Sequence, residues 1–195
     1  ENITFSLFRQ EEMKMKTKLL TIVTLLAAML LLCVGCAKKG STPTAPFDGV
    51  LDIDTGNVYR LGDAKETFDS AFNDGKKDAD RDYYSYLSDN LRITYDDAGK
   101  ATEISVSGAT NRFAFYNFTF DTDIASIEGR YERLDVTGYH FYSLDFDENG
   151  EACKPYTGTV FATLQVRDGD LLDMKDGQYL EYSIQTRESF VASIK

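Results

Sequence analysis

The sequence predicts an α+β fold of two tandem repeats, each a short helix followed by an antiparallel meander, with the helices packed on one face of the sheet. Three observations predict it. Apolar positions recur at a fixed spacing, each recurrence opens on a capped helix signal, and each then passes into alternating apolar and polar residues broken by turn sequences.

The recurrence is clearest where Leu61 to Phe72 aligns with Phe120 to Tyr131, an offset of 59 residues. Tyr83-Tyr84-Ser85 then matches Phe141-Tyr142-Ser143 at an offset of 58, and the turn at Gly99 matches that at Gly169 at an offset of 70. An insertion within Glu148 to Thr159 accounts for the difference. In the first copy Asp63 stands as helix cap with Glu66 three residues on, and Phe68, Ala71 and Phe72 form an apolar face. In the second, Thr122 takes the cap and Ile124, Ile127 and Tyr131 share a face at i, i+3, i+7. Helices this short need tertiary packing, so each is expected to lie on a sheet.

The sheet is read from alternation. Leu91, Ile93 and Tyr95 alternate with polar residues, Asp96 to Gly99 supply a turn, and Thr102, Ile104 and Val106 resume the pattern as the second arm of a hairpin. Val160 to Val166, the turn Asp168-Gly169-Asp170 and Leu171 to Met174 repeat it. Tyr83 to Leu87 and Tyr139 to Phe146 are the preceding strands. Repeat 1 occupies about residues 58–107 and repeat 2 about residues 117–182, within a globular domain of residues 47–195.

On the two helix starts, the YYSYL and HFYSL strands and the DDAGK and RDGD hairpins, the stretch from Val58 to Tyr182 resembles the β-lactamase inhibitor protein fold, also found in small lipoproteins of the SmpA/OmlA type. The resemblance implies that two repeats join their sheets into one curved surface whose concave, aromatic-rich face binds other proteins. Tryptophan is prominent among inhibitor contacts of that type and this chain has none, so inhibition of a β-lactamase is not carried over.

The amino-terminal segment carries an address. Lys14, Lys16 and Lys18 precede the apolar run Leu19 to Leu32, and small residues follow, the layout of a secretory signal. Leu19 to Val34 is shorter than the roughly 20 residues that span a bilayer. Cys33-Val34-Gly35-Cys36 resembles the lipobox of bacterial lipoproteins, with Cys33 where leucine is commonest. That resemblance implies cleavage before Cys36, diacylglycerol on its sulfur, an acyl chain such as palmitate, and an extracytoplasmic domain anchored to the cell membrane. Residues 1–35 are thus a signal peptide, residues 1–12 ahead of Met13 being read as upstream sequence. Residues 36–46 form a polar, proline-containing tether.

Composition narrows the function. The full chain has a formal net charge of −11, and the part from Cys36 onward carries about −12. Such a surface repels phosphate backbones, which argues against a nucleic-acid partner. Of three cysteines, Cys153 alone stays outside the signal and anchor, so no intramolecular disulfide is expected. One histidine, His140, does not make a usual zinc site. Asp145-Phe-Asp147-Glu-Asn149-Gly150 has the opening of a calcium loop, but Tyr156 stands where a bidentate glutamate is needed, and a hairpin turn is the expected reading. No catalytic constellation, phosphate loop, metal site or cofactor motif is found.

Surplus aromatics are the binding signal. Tyr83, Tyr84, Tyr86, Tyr139, Phe141 and Tyr142 lie on strands, where successive side chains face opposite ways, so some must face away from the helices. The leading expectation is a lipid-anchored, non-catalytic protein-binding module that recognises a protein or envelope component through this face. A structural or envelope-assembly lipoprotein is the alternative, and an enzyme ranks last.

Overall fold

A computed structural model describes residues 43–136, 138–154, 156–167 and 179–193, which belong to one compact unit, Thr42–Lys195. The expected signal peptide, Cys36 and most of the expected tether lie outside the described residues. So do the turn Asp168-Gly169-Asp170 and Leu171 to Met174.

In chain order the elements are β1 (Gly49–Asp52), β2 (Val58–Arg60), α1 (Lys65–Phe72), β3 (Lys76–Lys77), β4 (Tyr84–Tyr86), β5 (Leu91–Tyr95), β6 (Ala101–Ser107), β7 (Phe113–Phe115), β8 (Phe118–Thr119), a 3₁₀ turn (Ile124–Ser126), β9 (Glu132–Val136), β10 (Tyr139–Ser143), β11 (Val160–Arg167), β12 (Tyr179–Thr186) and α2 (Arg187–Ser193). An eight-stranded sheet runs β3-β4-β5-β6-β12-β11-β10-β9 and a four-stranded sheet runs β2-β1-β7-β8. Every strand pairing among the described residues is antiparallel.

This corrects the expected α+β plan. The described residues form two antiparallel sheets with two short helices, not two helix-plus-meander repeats with helices covering a sheet face. The large sheet is covered instead by an aromatic second sheet. Phe115 of β7 packs on Tyr182 of β12 with ring centroids 4.3 Å apart, and Phe118 of β8 meets the same ring at 5.7 Å. These join Val50, Tyr59, Leu91, Ile93, Ile104, Val106, Leu164 and Ile184 in one buried cluster.

The helix signals explain the difference. α1 forms and buries Phe68 and Phe72 against Tyr59, Tyr86, Tyr95 and Phe113. Its N-cap is Ala64, without a side-chain cap; the Asp63 carboxylate accepts instead from the Arg60 N–H at 2.7 Å. Lys65–Asp69 at i, i+4 supports the helix, and Asn73 ends it in the left-handed conformation at φ 55°. Where the sequence predicts a second helix only the 3₁₀ turn forms, capped by Asp123, whose carboxylate accepts from the Ala125 N–H at 3.1 Å. Thr122 turns its hydroxyl back to the Thr119 N–H. Two β-branched residues and Gly129 at φ 77° halt propagation within a turn.

The hairpin read from 91–107 is present as β5 and β6, with Gly99 at φ 72° in its turn, a conformation glycine adopts without a Cβ clash. β11 pairs with β12, a strand the sequence reading missed, and β6 pairs with β12 to close the large sheet. No helix among the described residues is long and apolar enough to cross a membrane.

Candidate binding face

Strand alternation gives the large sheet two unlike faces. One row of directly paired residues, Leu91, Val106, Tyr182, Leu164 and Tyr142, is buried against the small sheet. The neighbouring row, on the other face, reads Ser85, Arg92, Ser105, Ser183, Thr163 and Ser143 from β4 to β10. Hydroxyls therefore run across the sheet, interrupted by one guanidinium. At one end α2 folds over this face, stacking Phe190 on Phe161 at 4.4 Å and on Tyr156 at 5.6 Å. Beyond β12 from Phe161 the face continues over β6 and β5.

There a groove of about 250 Å³ is lined by Arg81, Tyr83, Arg92, Thr94, Glu103, Ser105 and Glu181. Arg92 organises it. Its guanidinium donates to Asp89 through Nε at 3.1 Å and Nη2 at 2.7 Å, and to Glu181 through Nη1 at 3.3 Å. It also lies over the Tyr83 ring, 5.6 Å from the centroid. Glu103 accepts from the Ser183 hydroxyl at 3.0 Å, and Ser183 in turn accepts from the Ser105 hydroxyl at 3.0 Å, with the Ser105 oxygen 3.3 Å from the same Glu103 oxygen.

The electrostatics differ across the groove. Hydrogen bonds from Arg92 and Ser85 hold the Asp89 carboxyl down at about 2. Burial pushes Glu181 up, Arg92 opposes that, and the Glu103 charge adds to the upward shift.

The turn feeding the groove is strained. Leu87, Ser88 and Asp89 sit at φ 52°, 54° and 75°, three consecutive non-glycine residues in the left-handed region, each costing roughly 1–2 kcal/mol. Asp74 holds them by accepting from the Leu87 and Ser88 N–H groups at 3.1 and 3.3 Å. Asn90 closes the turn by donating Nδ2 to the Leu87 carbonyl at 2.9 Å, and the Ser85 hydroxyl donates to Asp89 at 2.8 Å. Beyond the turn a second hollow of about 590 Å³ is lined by Asp74, Lys76, Lys77, Ser85, Ser88 and Asp89, among others. Strain of this kind persists only where surrounding contacts over-determine it, and it gathers at functional sites.

The six aromatic candidates divide. Tyr83 borders the groove. Tyr139 and Phe141 are half-buried on the same open face of β10, edge to face at 5.3 Å. Tyr86 and Tyr142 are core residues: the Tyr86 hydroxyl donates to Asp69 at 2.8 Å and that of Tyr142 to Glu128 at 3.2 Å, so neither belongs to a contact surface. Tyr84 leans to the core side, edge to face with Tyr95 and under the Lys65 ammonium. Arg92, Glu103 and Glu181 were missed as site residues. Alternation in LRITY and ATEISVS places the first two on the outward face; Glu181 lies on the unread β12.

The Asp145–Gly150 segment is a turn, in which the Asp147 carboxylate accepts from the N–H groups of Asn149 and Glu151. Asp145 is buried, accepting from the Ser143 hydroxyl at 3.0 Å and from the Tyr156 N–H. His140 is buried edge to face with Tyr142, and Cys153 carries a free thiol. Among the described residues no group of three or more His, Cys, Asp or Glu side chains is placed to hold a metal. Compared with known families, characterised proteins and solved structures, the chain matches none.

Proposed function

We propose that this chain is a membrane-anchored, extracytoplasmic, non-catalytic binding module, tethered by lipid on Cys36, that docks a protein or envelope component on the open face of its large sheet. The observation that carries the reading is the groove at Arg92, where a cavity and a half-buried charge network coincide and where Arg92 ties in the strained turn through Asp89. Arginine and tyrosine are the side chains that most often anchor interfaces, and Arg92 stacked on Tyr83 presents both in a fixed geometry. The signal, the lipobox-like Cys33–Cys36 and the acidic surface support a partner at a membrane face that is not nucleic acid.

The groove narrows the earlier aromatic face to Tyr83 and its polar neighbours. Co-purification of the tagged full chain from mildly solubilised native membranes tests this. The wild type retains a stoichiometric partner; Thr94→Arg, which fills the groove without removing an ion-pair member, loses it while unfolding at the same denaturant midpoint. Equal recovery by both overturns the reading. Mass spectrometry of the same material is expected to show diacylated Cys36 as the amino terminus.

A further inference from the structure

We infer that β9 is the docking edge for a second copy of this chain, joined by an antiparallel β9–β9 pair centred on Leu134. β9 ends the eight-stranded sheet, and among the described residues no strand pairs with its outer side. Such an edge is a template for another strand unless its residues oppose pairing. Three of the five residues of Glu132–Val136 are charged, which selects the register instead of forbidding it. In an antiparallel pair about a two-fold axis at Leu134, Arg133 lies directly opposite the partner's Asp135, and Asp135 opposite the partner's Arg133. Moving the axis one residue either way sets arginine against arginine or aspartate against aspartate. Within one strand Arg133 Nε already holds Asp135 at 2.6 Å, so pairing merges two ion pairs into one four-group network.

The other side of the strand supplies apolar area. Leu134 pairs with Phe141 and Val136 with Tyr139, placing four apolar side chains together on the open face. Val136 is 44% exposed, among the few large hydrophobic residues so placed. Across the two-fold axis Leu134 meets its own copy, and the two clusters become one. This patch lies on β9 and β10, and β11 separates it from β12, the nearest strand lining the Arg92 groove, so the inference stands or falls independently of the proposed function.

Light scattering of the full chain in detergent, corrected for bound detergent, measures the protein mass against concentration. The wild type is expected to move from monomer to dimer. Arg133→Asp and Asp135→Arg, each folded by circular dichroism, are each expected to dimerise at least about tenfold more weakly, because like charges then face each other. An equimolar mixture of the two variants restores dimer, since one strand then presents two arginines to two aspartates. A wild type that stays monomeric, single variants that dimerise like wild type, or a mixture that stays monomeric would each overturn the inference. A higher mass that survives both variants and needs no mixing identifies another interface and does the same.

Discussion

Arg92 grips Asp89 with two nitrogens, Nε to Oδ1 at 3.1 Å and Nη2 to Oδ2 at 2.7 Å, and through that grip joins the left-handed β4–β5 turn to the sheet face. The pair is local in sequence and half-exposed, so its value is positional more than energetic. Held at about 2, the Asp89 carboxyl titrates below its unfolded value. Its contribution is therefore present above the ordinary carboxylate range and is lost as pH falls from about 4 to about 2. Carbon-detected NMR titration should place the midpoint near 2 in the wild type and return it toward the ordinary range in Arg92→Gln. Solvent screening keeps the stability loss in Asp89→Asn to about 1 kcal/mol or less.

A stronger pair pins the small sheet. Asp52 in β1 is fully buried and accepts from Arg112 through Nε at 3.1 Å and Nη2 at 2.6 Å. Burial would raise this carboxyl, but the bonds from Arg112, Thr55 and the Asp54 N–H outweigh it, and the net shift is downward. Removing the cation strands a buried carboxylate. Arg112→Met should cost about 3 kcal/mol in urea unfolding at pH 7, with the deficit shrinking as pH falls through the carboxylate range.

Asp145 is the opposite case. Burial raises its carboxyl despite the bonds from the Tyr156 N–H and Ser143. A raised carboxyl favours the fold below the unfolded value and loses that advantage as pH rises through the folded one. Asp145→Asn keeps an acceptor for Tyr156 without the charge. It should be neutral or stabilising at pH 7, with any gain disappearing near pH 4 in thermal unfolding. A loss above about 1 kcal/mol at pH 7 contradicts this assignment.

The two aligned helix starts are predicted to be unequal in energy. Phe68→Ala, which empties a site closed by Tyr59, Tyr86 and Tyr95, should cost about 3–5 kcal/mol. Ile124→Ala, in the half-buried 3₁₀ turn, should cost about 1 kcal/mol. Chemical denaturation of both variants measures the difference.

What the sequence shows and what it hides follow from the same residues. LRITY and ATEISVS alternate over five or more positions, enough to fix both the hairpin and which side chains face outward. β1, β2, β7 and β8 run two to four residues. Over that length period two is indistinguishable from chance, and Phe113-Ala114-Phe115 is buried throughout, so its pattern vanishes. With these strands too short to register, the sequence pattern points to helices as the cover of the core. Ile124, Ile127 and Tyr131 have helical spacing, yet Ile127 alone is fully buried and Gly129 ends the turn. Tyr86 and Tyr142 are illegible for a related reason: tyrosine in a strand suits an interface, but a hydroxyl that reaches Asp69 or Glu128 makes a good core residue.

Site-specific photo-cross-linking of the full chain in its native membrane tests the central claim most directly. A photoreactive residue at Thr94, inside the Arg92 groove, is expected to give one discrete adduct, while the same residue at Glu148, on the turn after β10, gives none. Absence of an adduct at Thr94, or the same adducts from both positions, would contradict recognition through this groove.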